Sequence, residues 1–288
     1  MFMPLEELAW IDYLKRKVKP AKDLLVGIGD DCAVIKAGSQ KLLLKSDLFI
    51  DRVHFNRGKI SFENIGKRAV ARVLSDFAAC GGKPKFIGVS LGAPRGLDKR
   101  YLRQILQGIL KLSKQYKFSL VGGDTSHSEV LILDVWGVGS CRKPILRSGA
   151  KVGDYIFVTG KLGKRAFNKP FIPRLKESQL LVKNFKINSM IDISDGFILD
   201  LYRILRLSKK GAILDKKNIR LINREADLYR GEDYELIFTI DKRETEKKLL
   251  TLKNKFYCVG RVLSAKSGYK VKDNNKISKV EVKGYTHF

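Results

Sequence analysis

Two units of mixed α and β structure, divided near residue 145, are the fold the sequence predicts. Helical stripes and short apolar strand runs alternate along the whole chain instead of segregating into blocks. The alternation breaks once, at residues 141–150, where Pro144, Arg147, Ser148 and Gly149 interrupt it, and a second series of similar length follows. Ser-Asp also recurs beside a helix in each half, at Ser75-Asp76 and Ser194-Asp195. Residues 1–145 and 146–288 are therefore expected as separate α/β domains, in a chain of 288 residues that is long enough for a sizeable core.

In order, residues 5–19 read as an opening helix with Leu5, Leu8, Ala9, Ile11 and Leu14 loosely on one face, stopped by Pro20. Leu24 to Ile28 is a short strand, and Lys41 to Phe49 a longer one that delivers Ser46 and Asp47 near its end. From 61 to 79 a helix is expected, because Ile65, Ala69, Val73 and Phe77 repeat every four residues before the Gly81-Gly82 break. Phe86–Leu91 is a strand, Asp98–Tyr116 a helix with Leu102, Ile105, Ile109 and Leu112 aligned, and Ser119–Val121 a short strand into Gly122-Gly123-Asp124. Val130–Gly139 is apolar on both faces in part, which predicts a central strand. In the second half, strands are expected at Tyr155–Thr159, Met190–Ile193, Glu235–Ile240 and Phe256–Val262. Helices are expected at about 174–184, at Phe197–Leu207, and in the charged stretch between the last two strands.

Composition narrows the class. Hydrophobic content of 44% and aromatic content of 9% fit a globular protein. No run approaches the roughly 18 apolar residues of a membrane span, and Met1 to Lys19 lacks an apolar signal core, which predicts a cytoplasmic protein. Cys32, Cys80, Cys141 and Cys258 are far apart, so neither a zinc site nor a disulfide framework is expected and buried free thiols are. The net charge of +27 admits a nucleic-acid partner, but the bases are spread through the chain without interleaved aromatics, and an anionic substrate such as a nucleotide would feel the same field.

Against 57 Lys+Arg the chain has only 30 Asp+Glu, and several of these acids sit in Gly- or Ser-flanked positions at strand ends or, for Asp76, near the end of a helix. They are Asp30 and Asp31 in Gly27-Ile28-Gly29-Asp30-Asp31-Cys32, then Asp47, Asp76, Asp124, and Asp192 and Asp195 in Asp192-Ile193-Ser194-Asp195-Gly196. No basic residue adjoins the Asp30-Asp31 pair. Each aspartate taken singly suits a helix cap or turn equally well. As a set, Asp30, Asp47, Asp76, Asp124, Asp192 and Asp195 predict hard-cation ligands, since Mg²⁺ takes a few carboxylates together with substrate phosphates, and without cations the cluster would repel itself. Asp30 is expected as a ligand and Asp31 as structural. Gly122-Gly123 and Gly160-Lys161-Leu162-Gly163 suit close approach of backbone N–H groups to phosphate, although neither is a P-loop.

Together these stretches resemble the thiamine-monophosphate kinase family, within the superfamily of aminoimidazole ribonucleotide synthetase. The resemblance runs collinearly through the Gly-Asp-Asp stretch, Ser46-Asp47 with Val53-His54-Phe55, and Leu74-Ser75-Asp76 to Gly81-Gly82-Lys83-Pro84. It continues through Val121-Gly122-Gly123-Asp124-Thr125, Val152-Gly153-Asp154, Thr159 to Gly163, Asp192 to Gly196, Gly231-Glu232-Asp233-Tyr234-Glu235 and Gly284-Tyr285-Thr286-His287-Phe288. It implies ATP- and Mg²⁺-dependent phosphorylation of thiamine monophosphate to thiamine diphosphate by direct in-line transfer, with no phosphoenzyme. It implies a two-domain aminoimidazole ribonucleotide synthetase-like fold, a homodimer in which the N-terminal domains pair into a β-barrel. By motif position, Asp30, Ser46, Asp47, Asp76, Asp124, Asp192 and Asp195 would form the metal shell, with Asp195 and Asp30 catalytic. Gly123, Asp124, Arg147 and Ser194 would hold the nucleotide, and His54, Glu232 and Tyr285 would face the thiamine portion.

The chain departs from the family pattern at Lys45, where a small hydroxyl residue is usual, at Cys80, where methionine is usual, and at Arg230, where glycine is usual. The segments from Gly163 to Met190 and from Leu207 to Gly231 are shorter than the family's. A superfamily relative acting on another small acceptor, and a basic non-catalytic nucleic-acid binder, are the alternatives. Selenophosphate synthetase and the hydrogenase maturation factor are disfavoured, since no cysteine precedes Cys32 and the chain ends in Phe288.

Overall fold

The computed structural model describes residues 5–164, 167–247 and 255–286. The first half comprises α1 (Leu5–Lys17), β1 (Leu24–Val26), β2 (Ala33–Ala37), β3 (Gln40–Ile50), α2 (Phe62–Ala79), β4 (Lys83–Ala93), α3 (Lys99–Tyr116), β5 (Ser119–Gly122), β6 (Thr125–His127) and β7 (Ile132–Cys141). The second comprises β8 (Tyr155–Val158), α4 (Leu175–Asn184), β9 (Ile187–Asp192), α5 (Phe197–Ser208), β10 (Lys210–Asp215), β11 (Leu236–Ile240), α6 (Lys242–Lys247), β12 (Tyr257–Ser264), β13 (Tyr269–Asp273) and β14 (Lys276–Lys279). The charged helix expected before residue 256 lies partly outside the described residues, as do His287 and Phe288 of the C-terminal motif.

Each half builds one sheet. The first runs β1-β2-β3-β7-β4-β5, with β6 also on β4, and the second runs β14-β13-β10-β12-β8-β11-β9. β7 is central, as its two-sided apolar pattern predicts, antiparallel to β3 on one side and β4 on the other. Its alternation sorts the sheet into two faces. Leu43, Phe49, Ile87, Leu133 and Val135 are fully buried under α2. On the other face Leu48 is 53% exposed and Phe86 46%, so one apolar face of this sheet is uncovered. Among the described residues the sheet is open and no closed barrel forms within the chain.

Strands β2, β6, β10, β13 and β14 were not predicted. β13 and β14 read Tyr-Lys-Val-Lys-Asp and Lys-Ile-Ser-Lys, with mostly exposed side chains, so they lack the apolar run that marks a covered strand; lysine at such an edge also discourages pairing with other chains. β10 is largely buried, yet its apolar run is only Ala212-Ile213-Leu214. It is built by pairing, antiparallel to β12 and parallel to β13.

Helix α2 is the centre of the molecule. Ser61 caps it by accepting the Asn64 N–H, and Ile65, Ala69, Val73 and Phe77 are all buried as their spacing predicts. It packs on β3, β4 and β7, on α3, and on α4 and β9 of the second half. The larger hydrophobic cluster accordingly mixes Phe77, Ala78 and Cys80 with Leu181, Phe185, Met190 and Phe238. The α2–α3 crossing depends on two glycines: a Cβ on Gly66 would lie 2.1 Å from the Ile105 carbonyl oxygen, and one on Gly108 would lie 2.0 Å from that of Glu63.

Gly108→Ala sets helix propensity against that contact. Alanine favours the helix by roughly 0.5–1 kcal/mol, but overpacking against rigid backbone costs roughly 1–3 kcal/mol. The expected outcome is net destabilisation, read as a lower urea midpoint with unchanged slope.

Candidate active site

A cavity of about 700 Å³ opens between the two halves. The turn between β1 and β2 brings Asp30, β3 brings Lys45 and Asp47, and α2 brings Arg72 and Asp76. Strand β9 ends in Asp192, the following turn carries Ser194 and Asp195, and the loop before β11 carries Glu232. Lys45 and Asp47 share a face because they are two apart on a strand. Ser46, between them, is exposed on the opposite face, where its hydroxyl donates to Asp134 at 2.7 Å.

Local hydrogen bonds hold the second half's contribution. Gly196, at a φ of 121° that a side chain would resist, turns the chain from β9 into α5. The N–H groups of Asp195 and Gly196 donate to Asp200 at 3.0 and 3.2 Å. Arg203 bonds both Asp195, at 2.5 Å, and Asp200, at 2.6 Å. The Tyr285 N–H donates to the Asp195 carbonyl at 2.8 Å, which brings the C-terminal segment to the cavity, and the Glu232 N–H donates to the Ser194 carbonyl at 2.9 Å.

Across the cavity, α2 presents Arg68, Arg72, Ser75 and Asp76 as one stripe at i, i+4, i+7 and i+8. Arg68 and Arg72 bond Glu232, Arg72 also reaches the Tyr234 hydroxyl at 3.1 Å, and the Ser75 hydroxyl donates to Asp192 at 2.6 Å. His54 is 8% exposed; its carbonyl accepts from Arg68 at 3.3 Å and its Nδ1 from the Ile50 N–H at 3.1 Å.

The acids converge at one end. One carboxylate oxygen from each of Asp31, Asp76 and Asp192 lies within 4.8 Å of the others, and Asp30, Asp31 and the Cys80 sulfur form a second such group. Burial, then the charge of Asp31, pushes Asp30 and Asp192 each up to about 6. Burial likewise raises Asp76 well above the usual carboxylate range, with Asp47 and Asp192 adding to it against Lys45. Burial also opposes ionisation of Asp47, but Lys45 and Arg72 outweigh it and hold its carboxyl low. Asp31 is 1% exposed, and its Oδ2 has no hydrogen-bond partner among the described residues. A buried carboxylate with an orphaned oxygen, clustered with other carboxylates, is what a hard divalent cation fits, and Asp30, Asp31, Asp76 and Asp192 are the residues placed to hold it.

One sequence expectation is corrected here. The aspartates lack adjoining bases in the sequence, yet folding supplies bases to several of them. Arg147 pairs with Asp31, Lys45 lies 3.1 Å from Asp76 and 3.4 Å from Asp47, Arg72 lies 3.8 Å from Asp47, and Arg203 holds Asp195.

Of the predicted site residues, Asp30, Asp47, Asp76, Asp192, Asp195, Arg147, Ser194, His54, Glu232 and Tyr285 line the cavity. Ser46, Gly123 and Asp124 do not; the last two sit exposed between β5 and β6 at the far edge of β4. Asp31, Arg68, Arg72 and Arg203 were not anticipated. The two helix arginines carried a signal, since bases four apart inside an otherwise apolar helix mark a buried polar stripe.

Comparison with known proteins gives a consistent relationship. The profile of the AIR synthase related protein, N-terminal domain, matches residues 29–141. The thiamine-monophosphate kinase of Buchnera aphidicola subsp. Schizaphis graminum is 32% identical, with 96% of each chain covered. That of Pyrococcus horikoshii is 30% identical over 90% of each. The solved structure of AaThiL complexed with AMPPCP and TMP is 29% identical, covers 100% of this chain and 99% of its own, and superposes with a TM-score of 0.85.

The raised carboxyls make stability depend on pH. Asp192 binds its proton more tightly folded, at about 6, than at the ordinary 3.8. The folded state therefore holds more protons between those values, and stability falls as pH rises through about 4 to 6. Asp192→Asn lacks that ionisation. Without divalent ions it should match the native chain near pH 4 and exceed it at pH 7 by up to about 3 kcal/mol in urea unfolding. No pH-dependent gain would contradict the assigned environment.

Proposed function

Because this chain belongs to the thiamine-monophosphate kinase family, we propose that it transfers the γ-phosphoryl group of ATP directly to the phosphate of thiamine monophosphate, giving thiamine diphosphate. The observation that carries this reading is the single cavity in which Asp30, Asp47 and Asp76 of one half meet Asp192, Asp195 and Glu232 of the other. A relative of 29% identity complexed with AMPPCP and TMP supports both substrates.

The chemistry asks for positioning and charge neutralisation more than covalent work by the protein. Asp30, Asp31, Asp76, Asp192 and Asp195 form the acidic end, where bound Mg²⁺ would neutralise charge on the phosphates and on the transferring group. Arg147 and Ser194 serve the nucleotide. Arg203 fixes the orientation of Asp195, and Arg68 and Arg72 fix that of Glu232. A carboxylate beside an aromatic ring suits the cationic thiazolium of the acceptor, which assigns Glu232, Tyr285 and His54 to the thiamine end. Ser46, Gly123 and Asp124 belong to the first sheet's outer side and edge; they reach phosphate only if the assembly or nucleotide brings it there. The uncovered apolar face with Leu48, Phe86 and Val121 supports pairing of two copies through their first sheets.

Incubation with ATP, Mg²⁺ and thiamine monophosphate should yield thiamine diphosphate; folded protein that gives none, or that turns over only with another acceptor, overturns the assignment. Asp195→Asn should lower kcat by about 10²-fold or more, whereas Glu232→Gln should act mainly on KM for thiamine monophosphate. In sedimentation the native chain should run as a dimer and Leu48→Glu/Phe86→Glu as a folded monomer.

A further inference from the structure

Lys45 occupies a position that the proposed reaction does not require of a lysine. Its ammonium lies 3.1 Å from Asp76 Oδ1 and 3.4 Å from Asp47 Oδ1, with the side chain only 23% exposed and opening into the cavity. The pairing divides the acidic end in two. Asp47 and Asp76 share a cation that the chain itself provides, and Arg72 adds a second, more distant charge to Asp47 at 3.8 Å. Among the described residues no base forms an ion pair with Asp30 or Asp192, and Asp31 retains an orphaned, buried Oδ2 although Arg147 holds its other oxygen. The unmet demand for positive charge is therefore concentrated at the Asp30–Asp31–Asp192 corner.

A divalent ion between Asp47 and Asp76 would have to sit in contact with the ammonium, where like charges repel strongly in a site of low dielectric. The lysine is held in place, because its stem rises from the inner face of β3 under α2 and its ammonium is paired with a carboxylate on both sides. A tethered ammonium also differs from a metal ion in what it can do: it supplies one positive charge and three donors, but it cannot bridge several oxygens at fixed octahedral geometry.

We propose that Lys45 is a built-in cation that takes the Asp47–Asp76 position of the acidic cluster, so that the chain holds one divalent ion fewer around its nucleotide than it would with a neutral residue there. This rests on the ATP- and metal-dependent reading above. The expected consequence is a weaker dependence on free divalent ion in the native chain than in a variant lacking the ammonium.

The test is a count of bound Mn²⁺ by electron paramagnetic resonance, with a non-hydrolysable ATP analogue present. Lys45→Met keeps the apolar stem and removes the charge, and Lys45→Thr removes both; each should bind one more Mn²⁺ per chain than the native protein, while Lys45→Arg should match it. The same non-zero number in the native chain and both neutral variants overturns the role of Lys45 and leaves the kinase reading standing. A native chain that binds no Mn²⁺ with nucleotide overturns that reading, and this proposal with it. Should Lys45→Met fail to fold without metal, recovery of a cooperative melt on adding Mn²⁺ but not K⁺ supports the proposal, and no recovery overturns it.

Discussion

The arrangement depends on one buried polar stripe. Helix α2 is covered on nearly every side, yet Arg68 is fully buried within it and is lowered in basicity by that burial. A guanidinium in such a place is costly unless paired, and removing its partner costs more than the pair gains. Phe49 offers it a ring face 5.2 Å away, and the charge partner is Glu232, from the other half of the chain. Ser75, two turns on, requires Asp192 in the same way. The two halves are thus joined by more than the apolar cluster around Phe77 and Phe238. The polar groups of α2 are satisfied only when the second half delivers two particular acids, and those acids then line the cavity.

The same economy governs the acidic end. Carboxylates this close would protonate or drive the halves apart without compensation. Four bases distribute the compensation unevenly: Arg147 to Asp31, Lys45 and Arg72 to Asp47 and its neighbour, Arg203 to Asp195. The result is a graded site. Asp47 is held ionised, whereas Asp30 and Asp192 are raised to about 6 and so carry the sensitivity to added cations. Preorganised charge of this kind needs no rearrangement when phosphate arrives, which is the condition under which electrostatic stabilisation is most effective.

Much of this was legible in the sequence, and the limits have physical causes. Strand-end aspartates beside Gly or Ser announced themselves, because such positions free a carboxylate to point into a cleft. Helix α2 was legible from its four-residue repeat. The strand carrying Lys45, Ser46 and Asp47 was legible too, but three consecutive residues on a strand cannot share a face, and motif order alone assigned Ser46 to the metal shell. The pairing of distant charges was not legible: nothing in the spacing links Arg203 to Asp195 across the turn at Gly196, or Arg68 to Glu232 over 164 residues. Nothing in the sequence marks Asp31 as more than structural, and only the fold sets its carboxylate beside those of Asp76 and Asp192. Strands β13 and β14 escaped notice because an exposed edge is written in lysine, not in apolar runs.

The segment Gly231 to Glu235 shows how the fold supports its own strain. Glu232 and Tyr234 both adopt left-handed backbone, at φ of 73° and 51°, a conformation that costs a residue with a side chain on the order of 1 kcal/mol or more. Alternate residues explain why it persists. Asp233 accepts the N–H groups of Gly163 at 2.9 Å and Lys164 at 2.7 Å, and Glu235 is fully buried with bonds from Thr159, Lys164 and Arg174. Tyr234 stacks on Phe171 with ring centres 3.7 Å apart. The three residues that follow Glu232 are thereby fixed to Thr159, Gly163, Lys164, Phe171 and Arg174, and the strained turn directs its carboxylate toward the arginines of α2. Replacing the neighbours would release the strain and the aim of Glu232 together. The acids of this stretch therefore divide their work, two anchoring the loop so that the third can face the cavity.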